Sequence, residues 1–193
     1  MHLNKDYWDE QYQNGRTGWD VGYISTPIKE YVDQLTDKEL RILVPGAGNA
    51  WEVEYLFQQG FKNVFLLDFS EKAVEQFLER VPQFPEDHII VGDFFQHQGG
   101  YDLILEQTFF TSFSPERRPE YVLKMHDLLA QDGKLSGLFF NHQFKFDGPP
   151  FGGTATEYKH LFSPLFDFKI FETAHNSIKP RLGNELFFVF VKK

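Results

Sequence analysis

Residues 42–52 read ILVPGAGNAWE. Ile42 to Val44 form an apolar run suited to a buried strand, Pro45 closes it, and Gly46 and Gly48 bare the backbone where a helix is about to begin. In open α/β sheets that carboxyl edge is where ligands bind, and missing side chains let the backbone approach them. A phosphate-binding P-loop needs a G-K-[S/T] ending, which this stretch lacks, so kinase-like phosphate chemistry is excluded. The dinucleotide pattern G-x-G-x-x-G fits at Gly46 and Gly48 but meets Trp51 at its third glycine, so the loop alone is equally compatible with a plain structural turn.

Two acids narrow the ligand. Asp68 ends the next apolar run 20 residues after Gly48, where a carboxylate accepts hydrogen bonds from both hydroxyls of an unphosphorylated ribose. It also lies close enough to Ser70 to serve only as a helix-start residue. After the third run, Gly92-Asp93-Phe94 sets a carboxylate and a ring at the same edge, matching the amino group and face of adenine. Three such signals in successive βα units favour an adenosine-containing ligand.

Working outward, strands are expected at Leu40–Pro45, Asn63–Asp68, His88–Val91, Tyr101–Glu106 and Lys134–Asn141. Helices are expected at Ala50–Gln59, Ser70–Arg80 and Glu116–Ala130, with Ser70 as an N-cap, Gly60 as a stop, Pro115 near a start and Gly133 in a turn back to the sheet. A loop around Gly148-Pro149-Pro150, a helix near Thr154–Leu165 and strands at Phe168–Thr173 and Glu185–Val191 follow. Alternating βα units imply an α/β fold, a mostly parallel sheet covered by helices on both faces with an antiparallel ending. The 193 residues are read as one domain.

Composition sets the outer limits. With 41% hydrophobic residues and 23 phenylalanines the chain can fill a core, so disorder is not a reading. A formal net charge of -9 opposes nucleic-acid binding, which needs a cationic surface. No cysteine is present, which removes disulfides and thiolate chemistry, and the histidines, among them His97, His126, His142 and His160, lack metal-ligand spacing, so no metal is expected. The charged opening MHLNKDYWDEQY is unlike a secretory signal and no stretch reaches membrane-spanning length, so a cytoplasmic monomer with a small-molecule partner is expected.

Further motifs resemble one family over nearly the whole chain. Tyr7-Trp8-Asp9, Gly15-Arg16-Thr17-Gly18-Trp19-Asp20, VPGAGNAWE, GDFF at 92–95, Thr108 through Pro115, Arg118 and Tyr121, and GPPF at 148–151 fall in the order of thiopurine S-methyltransferases, with thiol and halide methyltransferases close by. The resemblance implies a Rossmann-like class I fold with a seven-stranded sheet and S-adenosylmethionine as cofactor. It also implies that Gly46 and Gly48 line the methionine part, Asp68 holds the ribose, and Asp93 and Phe94 frame the adenine. Trp8 and Trp19 would contact cofactor or acceptor from an N-terminal helical cover, residues 1–36. Ala47, Ala50 and Glu52 stand where the family loop commonly carries cysteine, glycine and aspartate; Glu52 is retained as a cofactor contact, and Ala50 restricts the loop if its φ is positive.

On the acceptor side, Arg118 matches the family arginine and is expected to orient an anionic or electron-rich acceptor, with Arg117 pointing elsewhere and Arg181 a weaker candidate. Glu106 ends the fourth strand and would face the cofactor's amino group or the acceptor; with Gln107 it departs from the family's usual pair. A sulfonium methyl is already electrophilic, and an acidic thiol or soft anion needs no general base, so none is assigned. The leading reading is in-line methyl transfer to the sulfur of a small thiol or thiopurine-like acceptor. The alternatives are halide or thiocyanate methylation, a nicotinamide oxidoreductase, and a cofactor-binding protein without turnover.

Overall fold

A computed structural model describes residues 4–193, so Met1 to Leu3 of the expected 1–36 cover lie outside the described residues. The helices are α1 (Lys5–Gln13), α2 (Thr26–Val32), α3 (Trp51–Gln58), α4 (Glu71–Arg80), α5 (Arg118–Leu128) and α6 (Ala155–Phe162). The strands are β1 (Arg41–Pro45), β2 (Asn63–Asp68), β3 (Ile89–Val91), β4 (Tyr101–Gln107), β5 (Leu129–Phe140), β6 (Phe166–Thr173) and β7 (Glu185–Lys192). They form one seven-stranded sheet in the order β3-β2-β1-β4-β5-β7-β6. Neighbours from β3 to β5 pair parallel, whereas β7 runs antiparallel to both β5 and β6. The chain winds one way through β1, β2 and β3, then crosses back to β4, so the β1–β4 junction is the switch point where such sheets open a crevice.

Alternation along the strands sends side chains to two cores. Ile42, Val44, Leu66 and Leu105 pack with α2, α3 and α4, through residues such as Val32, Val53 and Phe77. Leu43, Leu67, Ile104 and Phe139 face the other way, onto Met125 of α5 and Phe162 of α6. α2 is therefore part of the core, with Ile28 and Val32 fully buried. Within the expected N-terminal cover, only α1 and the segment after it remain free to overlie the sheet edge.

Local chemistry accounts for most boundaries. The Ser70 side chain accepts from the Ala73 N–H at 3.2 Å, and Thr154 forms a reciprocal capping box with Glu157. One region differs from expectation. The helix before β5 ends at Leu128, and β5 begins at Leu129, taking in the segment expected to turn at Gly133. Asp132 adopts φ 59° and the β4–β5 register shifts between Tyr101 and Leu103, so the turn signal is absorbed as a bulge inside a long strand. Ala50 does have positive φ, 56°, and is fully buried at the start of α3, a conformation that costs a non-glycine residue about 1–2 kcal/mol.

Candidate active site

At the switch point lies a cavity of about 970 Å³, lined from five directions: α1 and the strap after it, the 46–52 loop, the ends of β2 and β3, the segment after β4, and the 147–151 loop. Of the residues anticipated from sequence, Trp8, Trp19, Gly46, Gly48, Glu52, Asp68, Asp93 and Phe94 all line it. Glu106 and Arg118 do not.

Both glycines line the cavity, and each also makes room for a neighbouring side chain. At Gly46, φ 56°, an added Cβ would run into the Phe109 ring; at Gly48, φ 54°, it would meet the Tyr12 hydroxyl. The bare loop makes room for two aromatic side chains of the chain itself, one from beyond β4 and one from α1, and both rings line the cavity. Tyr12 packs edge-on to Trp19 at 5.9 Å, and Trp19 likewise to Trp8 at 5.3 Å, so α1 and the strap present one aromatic surface to the loop.

Asp68 is the hinge of the polar side. One carboxylate oxygen accepts from the Gly48 N–H and the other from the Ser70 N–H, each at 2.8 Å. The ligand and helix-start readings are thus compatible, because each oxygen keeps a further lone pair for a hydroxyl. Burial raises its carboxyl above the ordinary range, against the pull of those N–H groups. Glu52, also buried, is pushed up to about 7 by desolvation, with Asp20 adding to the effect. Asp93 is exposed and accepts from the Phe95 N–H at 2.9 Å, while Phe94 is buried among Phe95, Phe109 and Tyr121. Glycines, paired acids and an aromatic wall at one sheet edge fit an adenosine-bearing cation.

Two expected site residues are corrected in place. Arg118 lies behind the wall: its Nη2 donates to the carbonyls of Phe151 and Gly152 at 3.0 and 2.9 Å, and its guanidinium sits over the Phe110 ring. Helix α5 starts at this residue, which turns its side chain inward and leaves Arg117 on the cavity side. Arg117 stacks on Phe95 at 4.2 Å and pairs with Glu120 at 2.8 Å. Glu106 is fully buried under the floor, where its Oε1 accepts from the Phe110 N–H at 2.6 Å and burial pushes its carboxyl up to about 8. It fixes the segment carrying Phe109 instead of facing a ligand. Replacing Arg118 with Met should therefore lower the melting temperature, by the equivalent of about 2 kcal/mol for the lost carbonyl bonds, and raise the acceptor KM. S-adenosylhomocysteine affinity should stay within about threefold, and calorimetry would check both.

Sequence reasoning missed Tyr12, Asp20 and Phe109. The WD pair at 19–20 and the F at 109 stood in motifs already noted, but nothing in the spacing tells that Tyr12 and Phe109 pack on the loop glycines or that Asp20 bonds Asn49 and Trp51.

Comparison with known proteins agrees with this fold. The family described as Thiopurine S-methyltransferase (TPMT) matches residues 3–187. A probable thiol methyltransferase 2 of Arabidopsis thaliana is 30% identical over 185 residues, 92% of this chain and 81% of that protein. A thiopurine S-methyltransferase of Acinetobacter baylyi is 24% identical over 94% of each chain. Among solved structures, a magnesium protoporphyrin IX methyltransferase from Synechocystis PCC 6803 with bound S-adenosylhomocysteine superposes with a TM-score of 0.76 at 15% identity, covering 98% of both chains. The chain belongs to the thiopurine S-methyltransferase family and is an S-adenosylmethionine-dependent S-methyltransferase on the class I fold.

Proposed function

We propose that the acceptor is a small aromatic or heteroaromatic thiol, thiopurine-like in shape, bound beside the cofactor in the same cavity. The observation that carries this reading is the apolar part of the lining: Phe95, Phe109, Phe113, Pro149, Pro150 and Phe151 make a ring-lined face. At about 970 Å³ the cavity stands at the upper end of the ~300–1,000 Å³ range of small-molecule sites, room for two ligands.

When bound, S-adenosylmethionine supplies a methyl group on a positively charged sulfur. The chain's part is to bind and orient. Gly46, Gly48, Asp68, Asp93 and Phe94 suit the cofactor end, as expected from sequence. Arg117, a cation in the lining that stacks on Phe95, would attract an acceptor thiolate, the role first expected of Arg118. The Trp8–Tyr12–Trp19 surface and the 147–151 loop exclude water, which strengthens every charge interaction inside. The described lining contains no histidine, and an acidic aromatic thiol reaches the site already ionised.

The test is initial-rate methylation of thiophenol, a mercaptopyridine, an alkyl thiol, thiocyanate and iodide. Burying one ring on the aromatic wall is worth about 1.5–3 kcal/mol, so kcat/KM should favour the aromatic thiols over thiocyanate and iodide by about 10- to 100-fold. A preference for thiocyanate would reassign the acceptor, and binding of S-adenosylhomocysteine with no transfer to any of them would leave a binding protein.

A further inference from the structure

The strap between α1 and α2 lines the cavity through Trp19, Asp20, Val21 and Tyr23, and one of its side chains is tied directly to the glycine loop. Asp20 Oδ1 accepts from the Trp51 indole N–H at 2.7 Å and from its own strap's Gly22 N–H at 2.7 Å. Its other oxygen accepts from the Asn49 side-chain amide. Both donors outside the strap belong to the 46–52 loop, and both are held in place by α4. The Arg80 guanidinium stacks on the Trp51 ring at 4.0 Å, donates to the Asn49 carbonyl, and is itself fixed by Glu54 at 3.1 Å.

At its far end the strap also meets the loop, where the Ser25 backbone hydrogen-bonds the Glu52 carboxylate, and other polar ties of this segment lead elsewhere. Asp9 accepts from Ser70 at 2.5 Å at the start of α4, and the Trp19 carbonyl accepts from Arg181 at 2.7 Å. Asp20 therefore joins the strap to the cofactor loop, and it follows directly after Trp19, the ring that braces Trp8 and Tyr12 over Gly48. This also accounts for Trp51 at the position where a dinucleotide loop carries its third glycine: the indole N–H is a donor aimed at the strap.

We propose that Asp20 is a positioning residue, a latch that holds the strap and its aromatic surface closed on the glycine loop and so sets how long the cofactor stays bound. Opening must break hydrogen bonds from Asn49 and Trp51 to one carboxylate, and charge-assisted bonds of this kind are about twice as strong as neutral ones. The inference rests on the cofactor reading of the cavity.

Its test has one arm that needs no ligand. Arg16 is exposed in the strap, so limited trypsin digestion of the unliganded protein reports opening. Asp20→Ala should speed cleavage after Arg16 about tenfold, while the melting temperature stays within a few degrees, because Asp20 is outside both cores. In the second arm, Asp20→Ala should raise the S-adenosylhomocysteine dissociation rate and the cofactor KM about tenfold, with kcat at saturation changed less than threefold. Trp51→Phe keeps the ring under Arg80 and removes only the donor; it should give a smaller increase of the same kind, and the double variant should be no worse than Asp20→Ala alone. Unchanged cleavage at Arg16 together with an unchanged dissociation rate would overturn the latch. So would strict additivity of the two substitutions. Failure of the wild type to bind S-adenosylhomocysteine would instead remove the cofactor reading, leaving the digestion arm to decide the latch.

Discussion

Gly46→Ala is expected to reduce S-adenosylhomocysteine affinity at least about 100-fold and to lower the melting temperature, whereas Gly48→Ala should be repairable by a second substitution. Both glycines have φ near 55°, and Ala50, in the same loop, shows that alanine is accommodated there. The backbone penalty of about 1–2 kcal/mol is thus shared and does not decide the outcome. What differs is the neighbour. A methyl at Gly46 enters the Phe109 ring, which is closed in by Phe94 at 5.1 Å, Phe113 at 4.9 Å and Tyr121 at 6.1 Å. That ring has nowhere to go without moving the cavity wall.

A methyl at Gly48 meets only the tip of Tyr12, the hydroxyl oxygen, with the ring carbon bearing it at an ordinary 3.5 Å. Tyr12→Phe deletes that oxygen. The pair Gly48→Ala and Tyr12→Phe should recover most of the affinity that Gly48→Ala loses, a favourable coupling of about 1 kcal/mol or more in a double-mutant cycle, while Gly46→Ala with Tyr12→Phe should be additive. Titration calorimetry of the wild type, singles and doubles checks it. Equal, additive losses at both glycines would mean that the ligand, and not the aromatic side chains, sets the need for glycine.

These two positions show where sequence reading stops. The strand–glycine–acid order, the helix caps at Ser70 and Thr154, and the antiparallel ending were legible because each has a local cause: periodicity, a hydroxyl at a helix start, a change in connection length. The cavity membership of Trp8, Trp19, Asp68, Asp93 and Phe94 was legible from strand ends and family motifs. The directions of Arg117 and Arg118 were not, because Arg117 closes a short 3-10 turn while Arg118 opens α5, and the exact start of the helix decides which one turns inward. Glu106 was misplaced for a similar reason. A strand end tells which edge a residue occupies, but not whether its side chain lies above the floor or beneath it, and β4 is the central strand with helices on both sides. Asp20 carried no periodic signal at all, since its role arises from donors 29 and 31 residues away.

The unliganded protein is expected to lose stability as pH rises from 6 to 8.5, the range in which its cofactor affinity increases. Burial holds Glu52 at about 7 and Glu106 at about 8, and it raises Asp68 as well. A carboxyl whose folded pKa is raised binds more protons folded than unfolded, so its cost is absent below the unfolded value and grows until pH passes the folded one. At about 1.4 kcal/mol per pKa unit, the displacement of Glu52 alone is on the order of 3 kcal/mol. A cationic ligand reverses the balance for the two of these acids that line the cavity, Glu52 and Asp68, because it favours the ionised carboxylates that burial penalises. S-adenosylmethionine should therefore bind more tightly at pH 8 than at pH 6 and release protons on binding at pH 6.5, read as a buffer-dependent binding heat. S-adenosylhomocysteine, which lacks the sulfonium charge, should show a shallower pH dependence. Glu52→Gln should flatten the stability profile and raise the unliganded melting temperature at pH 8.5, yet weaken S-adenosylmethionine about tenfold. A melting temperature that climbs with pH over this range, or a Glu52→Gln variant that binds the cation as well as the wild type, would show that Glu52 is already ionised and does not face the ligand's charge.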